Sequence, residues 1–265
     1  MSRVTIEDGK VTDVTEPRIR RCPLFAKYRG MGKITADVVR QNIEFRIESF
    51  GMCTEDRVTR MDNFLSFGIS ETMSSALING EIDAAVMAAD GCGTVVLTDP
   101  EVVQGLGGRI SGICETEPIP AVVEAVGEGN MLDPETARID MVAGLDKAVS
   151  MGYRTIAVTT PSMSDARTMR ERHGDRAVII AVHTTGMSEE DARTAFDVCD
   201  IITACASKHL REEVARRPDV LIAGNKVPVY AVTEKGKRMV GAKLAELGRE
   251  PWDPSQGEEP PEPLI

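Results

Sequence analysis

Groups able to do chemistry recur in four short runs of this 265-residue chain. They are Asp90-Gly91-Cys92-Gly93, Thr159-Thr160-Pro161-Ser162, His183-Thr184-Thr185-Gly186 and Cys205-Ala206-Ser207-Lys208-His209. Each run follows a short apolar stretch of strand character. In an open parallel sheet, ligands bind beyond the carboxyl ends of the strands. The four runs would then share one rim, and three readings of it stay open. Cys92, Cys205 and His183 offer thiolate and imidazole to a transition metal such as zinc, iron or nickel. Cys205 and His183 could instead act as nucleophile and base. Alternatively, all three are packed at strand ends, cysteine being among the most buried residue types.

Cys205 immediately precedes a helix expected from about Lys208, where the positive helix end and Lys208 itself favour a thiolate. Cys53 follows Gly51 at a helix C-terminus, where the dipole has the opposite sign. This ranks Cys205 as the most reactive thiol, with His183 and Lys208 as its catalytic companions. Thr184, Thr185 and Ser207 would bind ligand beside them. Cys199 cannot join Cys205 if the segment is extended, since six residues span roughly 20 Å. A glycine-rich stretch runs from Gln104 to Gly112. It matches neither the dinucleotide fingerprint nor the Walker loop. Gly105, Gly107, Gly108, Arg109 and Ser111 could still cradle a carboxylate or phosphate as a loop.

The elements that must position these groups follow from pattern. Residues 3–6 and 11–14 alternate around Asp8-Gly9, the signature of a hairpin. Thr35-Ala36-Asp37 opens a helix with Val39, Ile43, Ile47 and Phe50 on its apolar face, closed by Gly51. A second helix is expected over 70–79. Residues 82–89 form an apolar run without alternation, as in a strand buried on both faces. Shorter strands are expected at 94–98 and, more weakly, 109–114, and helices at 119–126 and 134–151. From residue 155 onward strands and helices alternate. Strands fall at 155–159, 178–183, 201–204 and 220–223, and helices at 164–173, 188–198 and 208–217. A strand at 227–232 is expected at an antiparallel edge, followed by a helix over 234–247. The fold class is therefore α/β, a mainly parallel sheet flanked by helices with an N-terminal hairpin-plus-helix extension. One domain spans 1–248, the extension occupying about 1–60.

Residues 249–265 differ from the rest, with five of the 14 prolines, five carboxylates and one arginine. Such a segment buries too little surface to offset its ordering entropy and is expected to be a mobile tail. By contrast Arg18, Arg20, Arg21, Lys27, Arg29 and Lys33 form a basic run without acidic residues. It is either solvated surface or a place for an anionic ligand or acidic partner.

A net charge of -11 and an aromatic content of 4% argue against nucleic-acid binding, which wants cations and stacking platforms. No apolar run approaches the roughly 20 residues of a membrane span, and the first residues lack a signal-peptide core. The expected address is cytoplasmic, with no membrane partner. Scattered thiols without a Cys-x-x-Cys pair fit a reducing compartment.

Several segments together resemble a known family. They include Cys22-Pro23-Leu24-Phe25, Phe50-Gly51-Met52-Cys53, and Phe64 to Ser70. Gly93-Thr94-Val95-Val96, Thr98-Asp99-Pro100 and Val103 to Gly112 continue the series. His183 to Ser188 and Ile202 to Lys208 complete it. In order and spacing, over about residues 4–240, the chain resembles methanogenesis marker protein 8. The resemblance implies an archaeal protein with a role in methane formation. It further implies an accessory or maturation factor whose partners are methanogenesis enzymes or cofactor-assembly proteins, with self-association left open. It carries over no catalytic residue. It favours Cys22, Cys53 and Cys205, with His183, as candidate ligands for a transition metal. A small-molecule enzyme built on Cys205 and His183, and a metal-binding carrier, are the alternatives.

Overall fold

At the start of the chain, β1 (Val4–Glu7) and β2 (Lys10–Val14) pair antiparallel. Asp8 and Gly9 between them both take positive φ, 49° and 69°, as a two-residue hairpin turn demands. The structure is a computed structural model and describes residues 2–30, 32–62, 67–108 and 112–265. α1 (Pro23–Arg29) begins on proline, whose fixed φ suits a first helical turn. α2 (Ala36–Phe50) is capped by Thr35, whose hydroxyl accepts the Val38 N–H, and it stops at Gly51 with φ 63°. Val11, Ile43 and Met52 join hairpin and α2 in a small core of their own, with Val39 and Ile47 against it.

The main body follows as α3 (Ile69–Ile78), β3 (Ala84–Ala89), β4 (Gly93–Leu97), α4 (Pro100–Gly107), α5 (Pro120–Val126) and α6 (Met141–Ser150). Next come β5 (Ile156–Thr160), α7 (Met163–His173), β6 (Ala177–Ala181), α8 (Glu189–Val198) and β7 (Ile201–Thr203). α9 (Lys208–Val214), β8 (Leu221–Ala223), β9 (Val229–Ala231) and α10 (Glu234–Glu246) close it. The strands form one seven-stranded sheet in the order β4-β3-β5-β6-β7-β9-β8. The inner four, β3, β5, β6 and β7, are parallel, while β4 and β9 run against their neighbours. Side chains alternate between two helical layers. Ala85, Met87 and Ala89 pack with α3, α4, α5 and α10. Ala84 and Val86 pack with α6, α7 and α8. The class is α/β, as the alternating pattern implies.

Three sequence expectations change. The stretch at 109–114 is no strand where it is described: 112–114 is irregular, and 109–111 lie outside the described residues. The helix expected from 134 starts at Met141, because Asp133 and Asp140 each close a local structure. Asp133 accepts from the amides of Glu135 and Thr136, and Asp140 caps α6 at Ala143. The strand at the turn after Asn225 is not an edge. β9 lies between β7 and β8, since Val229, Tyr230 and Ala231 are all buried, whereas Leu221 and Ile222 of β8 are half-exposed. Residues 249–265 run along the body through amides and ion pairs. Trp252 N–H donates to Ile222 O (2.7 Å), and Ile265 N–H donates to Ala206 O (3.1 Å). Among the described residues, no helix is long and apolar enough to cross a membrane.

Candidate functional site

β6 and β7 run side by side, with Ala181 opposite Ile202. Continuing that register past the strand ends sets His183 level with Ala204, and Thr184 level with Cys205. His183 takes φ 55°, rare for a residue with a side chain, and so turns the chain over the end of the sheet. Thr184 is buried and fastens the two loops together. Its hydroxyl donates to Thr203 O and accepts the Cys205 N–H (3.3 Å). Thr185 accepts the next amide, that of Ala206, at 3.4 Å. From the other side Arg211 donates to the carbonyls of Cys205 (2.7 Å), Ser207 (3.0 Å) and Ala204 (3.0 Å). Ser207, fully buried, caps α9 by accepting the Leu210 N–H (3.4 Å).

The Cys205 loop is therefore pinned on both flanks. The thiol itself is half-buried and meets the Thr203 hydroxyl at 3.9 Å. Burial pushes the His183 imidazole below its ordinary value, which keeps it neutral at pH 7 and able to accept a proton. Lys208 does not join them. Its ammonium is exposed and lies 3.5 Å from Glu212, one turn further along α9. Ser207 serves the helix and the two threonines serve the loops, so their hydroxyls are structural before they are ligands.

A second place lies at the end of β3. Asp90 is buried and accepts from Cys53 N–H (2.7 Å) and from Arg57 Nε (3.0 Å). Arg57 spends its other donors on the carbonyls of Val58, Gly105 and Leu106. Three thiols surround this pair. Cys53 is tied to it by its amide, Cys92 is two residues past Asp90, and Cys114 is two residues before Thr116. The Thr116 hydroxyl accepts the Gly91 N–H (2.8 Å). Burial first, then the Asp90 charge, pushes Cys53 and Cys92 up to about 12 and Cys114 to about 11. β3 stands three strands from β7, about 14 Å at the usual inter-strand spacing, so Cys92 is not beside Cys205.

The remaining candidates separate. Cys22 stands at the start of α1, next to Arg21, and not at the Asp90 cluster. Gly105 and Gly107 form the last turn of α4 and Gly108 its cap, rather than an anion-holding loop. Gly105 lacks a side chain because the backbone of Thr59 and Arg60 presses on it. Arg109 and Ser111 lie outside the described residues. Among the described residues, no three His, Cys, Asp or Glu side chains are grouped closely enough to hold a metal ion. Sequence reasoning missed Arg57 altogether. The only available signal was its necessity, since a carboxylate ending a fully apolar strand requires a cation.

The profile of an archaeal family, DUF2099, described as an uncharacterized protein conserved in archaea, matches residues 1–245. The chain belongs to that family. A relative, "Uncharacterized protein MJ0054" of Methanocaldococcus jannaschii, is 41% identical over 255 residues, covering 94% of this chain and 89% of the relative. No solved structure matches.

In this DUF2099 protein the thiols should differ sharply in reactivity. Cys53, Cys92, Cys114 and Cys199 are held as thiols by burial, with values of about 11 or 12. At pH 7 only about one in ten thousand or fewer would be thiolate, the nucleophilic form. Iodoacetamide at neutral pH, followed by peptide mapping, should label Cys205 well before these four. Labelling of Cys53 ahead of Cys205 would show that the loop closes the Cys205 thiol off.

Proposed function

We propose that the chain is an accessory or maturation factor in methane formation, working through a small ligand held at the carboxyl edge of the sheet. Its clients are methanogenesis enzymes or their cofactor-assembly proteins, methyl-coenzyme M reductase with its nickel tetrapyrrole first among them. One observation supports this reading beyond the resemblance itself. Segments that carry the resemblance, far apart in sequence, converge on one edge: Gly51 to Cys53 by way of Asp90, Gly93, His183 to Gly186, and Thr203 to Lys208. Loops placed by a rigid sheet, rather than the sheet itself, carry function.

The test is anoxic co-purification of tagged full-length chain from a methanogen, in parallel with a His183→Ala/Cys205→Ser variant. A methanogenesis enzyme or assembly protein should elute stoichiometrically with the native chain and fall at least tenfold with the variant. A solitary chain in both preparations overturns the reading. A second reading, a small-molecule enzyme with Cys205 as nucleophile and His183 as base, is favoured by the pinned Cys205 loop and the neutral imidazole one residue before Thr184. Metal analysis of anoxically purified protein distinguishes it from a metal-binding carrier, which would hold a stoichiometric ion.

A further inference from the structure

After α10 the chain does not leave the body. It crosses the carboxyl edge of the sheet from β8 towards β6 as a strap. Glu259 N–H donates to Asn225 O (3.2 Å), just past β8. Glu262 pairs with Arg21 through both backbones, at 2.9 and 3.0 Å. Ile265 then accepts from Lys208 N–H (3.1 Å), beside the Cys205 loop. Its side chain covers Gly186, where an added Cβ would meet it at 3.4 Å and would stand 4.0 Å from the Arg18 guanidinium.

Charge holds the strap, together with these backbone bonds. Arg21 reaches Glu259 (2.8 Å) and Glu262 (3.0 Å), Lys226 pairs with Glu259, and Arg211 Nε meets Glu258 (3.0 Å). All three cations fall within residues 1–245, matched by the family, and all three glutamates fall beyond them. Arg211 is only 9% exposed, and it is the same guanidinium that ties down the Cys205 loop. Beside it the Tyr230 hydroxyl, buried with its residue at 0% exposure, has no hydrogen-bond partner among the described residues. It lies within electrostatic reach of both Arg211 and Glu258. A site dedicated to the strap would be expected to satisfy that hydroxyl. A ligand with more oxygens than a glutamate offers could do so.

We propose that Arg21, Lys226 and Arg211 form a binding site for a small polyanion carrying several carboxylate or phosphate oxygens, and that Glu258, Glu259 and Glu262 occupy it as a stand-in. Guanidinium groups favour such oxygens in two-pronged contacts. The partly exposed ion pairs of Arg21 and Lys226 are individually weak, so a ligand displacing the strap has chiefly its backbone bonds and the Arg211 pair to replace. The strap is nevertheless a competitor tethered at an effective concentration of about millimolar. A polyanion that displaces it uncovers Gly186 and reaches the Arg211 side of the Cys205 loop. This site goes beyond the role in methane formation, because the cations recognise anionic oxygen whatever the edge then does with the ligand.

The experiment is calorimetric titration at low ionic strength of the full native chain and of a Glu258→Gln/Glu259→Gln/Glu262→Gln variant. Pyrophosphate and citrate serve as separate probes. The variant should bind at least one probe about tenfold or more tighter than the native chain, and the preferred probe tells phosphate from carboxylate recognition. Adding Arg21→Gln and Lys226→Gln to that variant should abolish the gain, while Arg21→Lys, which keeps the charge but loses the two-pronged fit, should remove part of it. Circular dichroism confirms that each variant is folded. Equal affinity in the native and triple-glutamine chains, indifference to Arg21 and Lys226, or no binding of either probe overturns the proposal.

Discussion

Replacing Arg57 by methionine should lower the unfolding free energy by about 3–5 kcal/mol, the usual cost of leaving one member of a buried ion pair without its partner. The side chains of Arg57 and Asp90 are 0% and 2% exposed, so water cannot take the missing cation's place. Methionine fills much of the volume but returns nothing to Asp90 or to the carbonyls of Gly105 and Leu106. The Cys53 amide would be the remaining partner named for the carboxylate, too little for a buried anion. Removing both charges, as Arg57→Met/Asp90→Leu, should restore part of the loss. Urea denaturation of the native chain, Arg57→Met, Asp90→Leu and the double variant gives the coupling directly, expected at about 2 kcal/mol or more. Strictly additive losses would show that the two groups do not act as a pair.

Stability should fall steeply above pH 9. Cys92 and Cys199 are buried and held as thiols up to about 12, from an ordinary value of 9.0. A folded-state value raised above the unfolded one means that the folded protein binds more protons between the two. The contribution is complete below about 9 and is lost as pH rises towards 12. At pH 10 each of these thiols should cost about 1.4 kcal/mol, or about 3 kcal/mol together. Cys53, Cys114 and Tyr230 are shifted the same way and add to the slope. His183 has the opposite sense: its lowered value makes stability fall as pH drops below the ordinary histidine range. Urea midpoints at pH 7.5 and 10 in the presence of reductant test the alkaline arm. A Cys92→Ala/Cys199→Ala variant should show a flatter dependence, and an equally steep one would place the effect elsewhere.

The repeated strand–helix units were legible because local signals agree there. Ser162, Ser188 and Ser207 each stand in the loop that follows a strand, and each caps the next helix. The pairing of Thr184 with Cys205 follows from the same regularity, since adjacent parallel strands end level. α4 was hidden for the opposite reason. Gly105 and Gly107 read as loop, yet the helix needs them where Thr59, Ser70 and Met87 crowd its surface. Asp99-Pro100, an N-cap followed by proline at the first helical position, was the start signal that the glycines masked. Arg57 lies in an irregular segment, and its partner is 33 residues away, beyond any local pattern. Lys208 could be placed on α9 but not aimed, because the i,i+4 glutamate at 212 competes for it. The docking of 249–265 depends on cations at 21, 211 and 226 coming together in space, which no linear reading of the segment contains.

The two outermost strands have a bearing on how this molecule meets its own kind. An open strand edge is a template on which a second chain can add, the first step of runaway aggregation. Neither edge here is left bare. Along β4, Met131 forms an antiparallel bridge with Val95, and Leu132 N–H donates to Thr94 O (2.8 Å). Along β8, the Trp252 amide takes the Ile222 carbonyl. A short irregular segment thus plugs each flank, one from between α5 and α6 and one from the residues after α10. Because the Thr94 and Ile222 carbonyls are already bonded within the chain, they are not open to a strand of another copy.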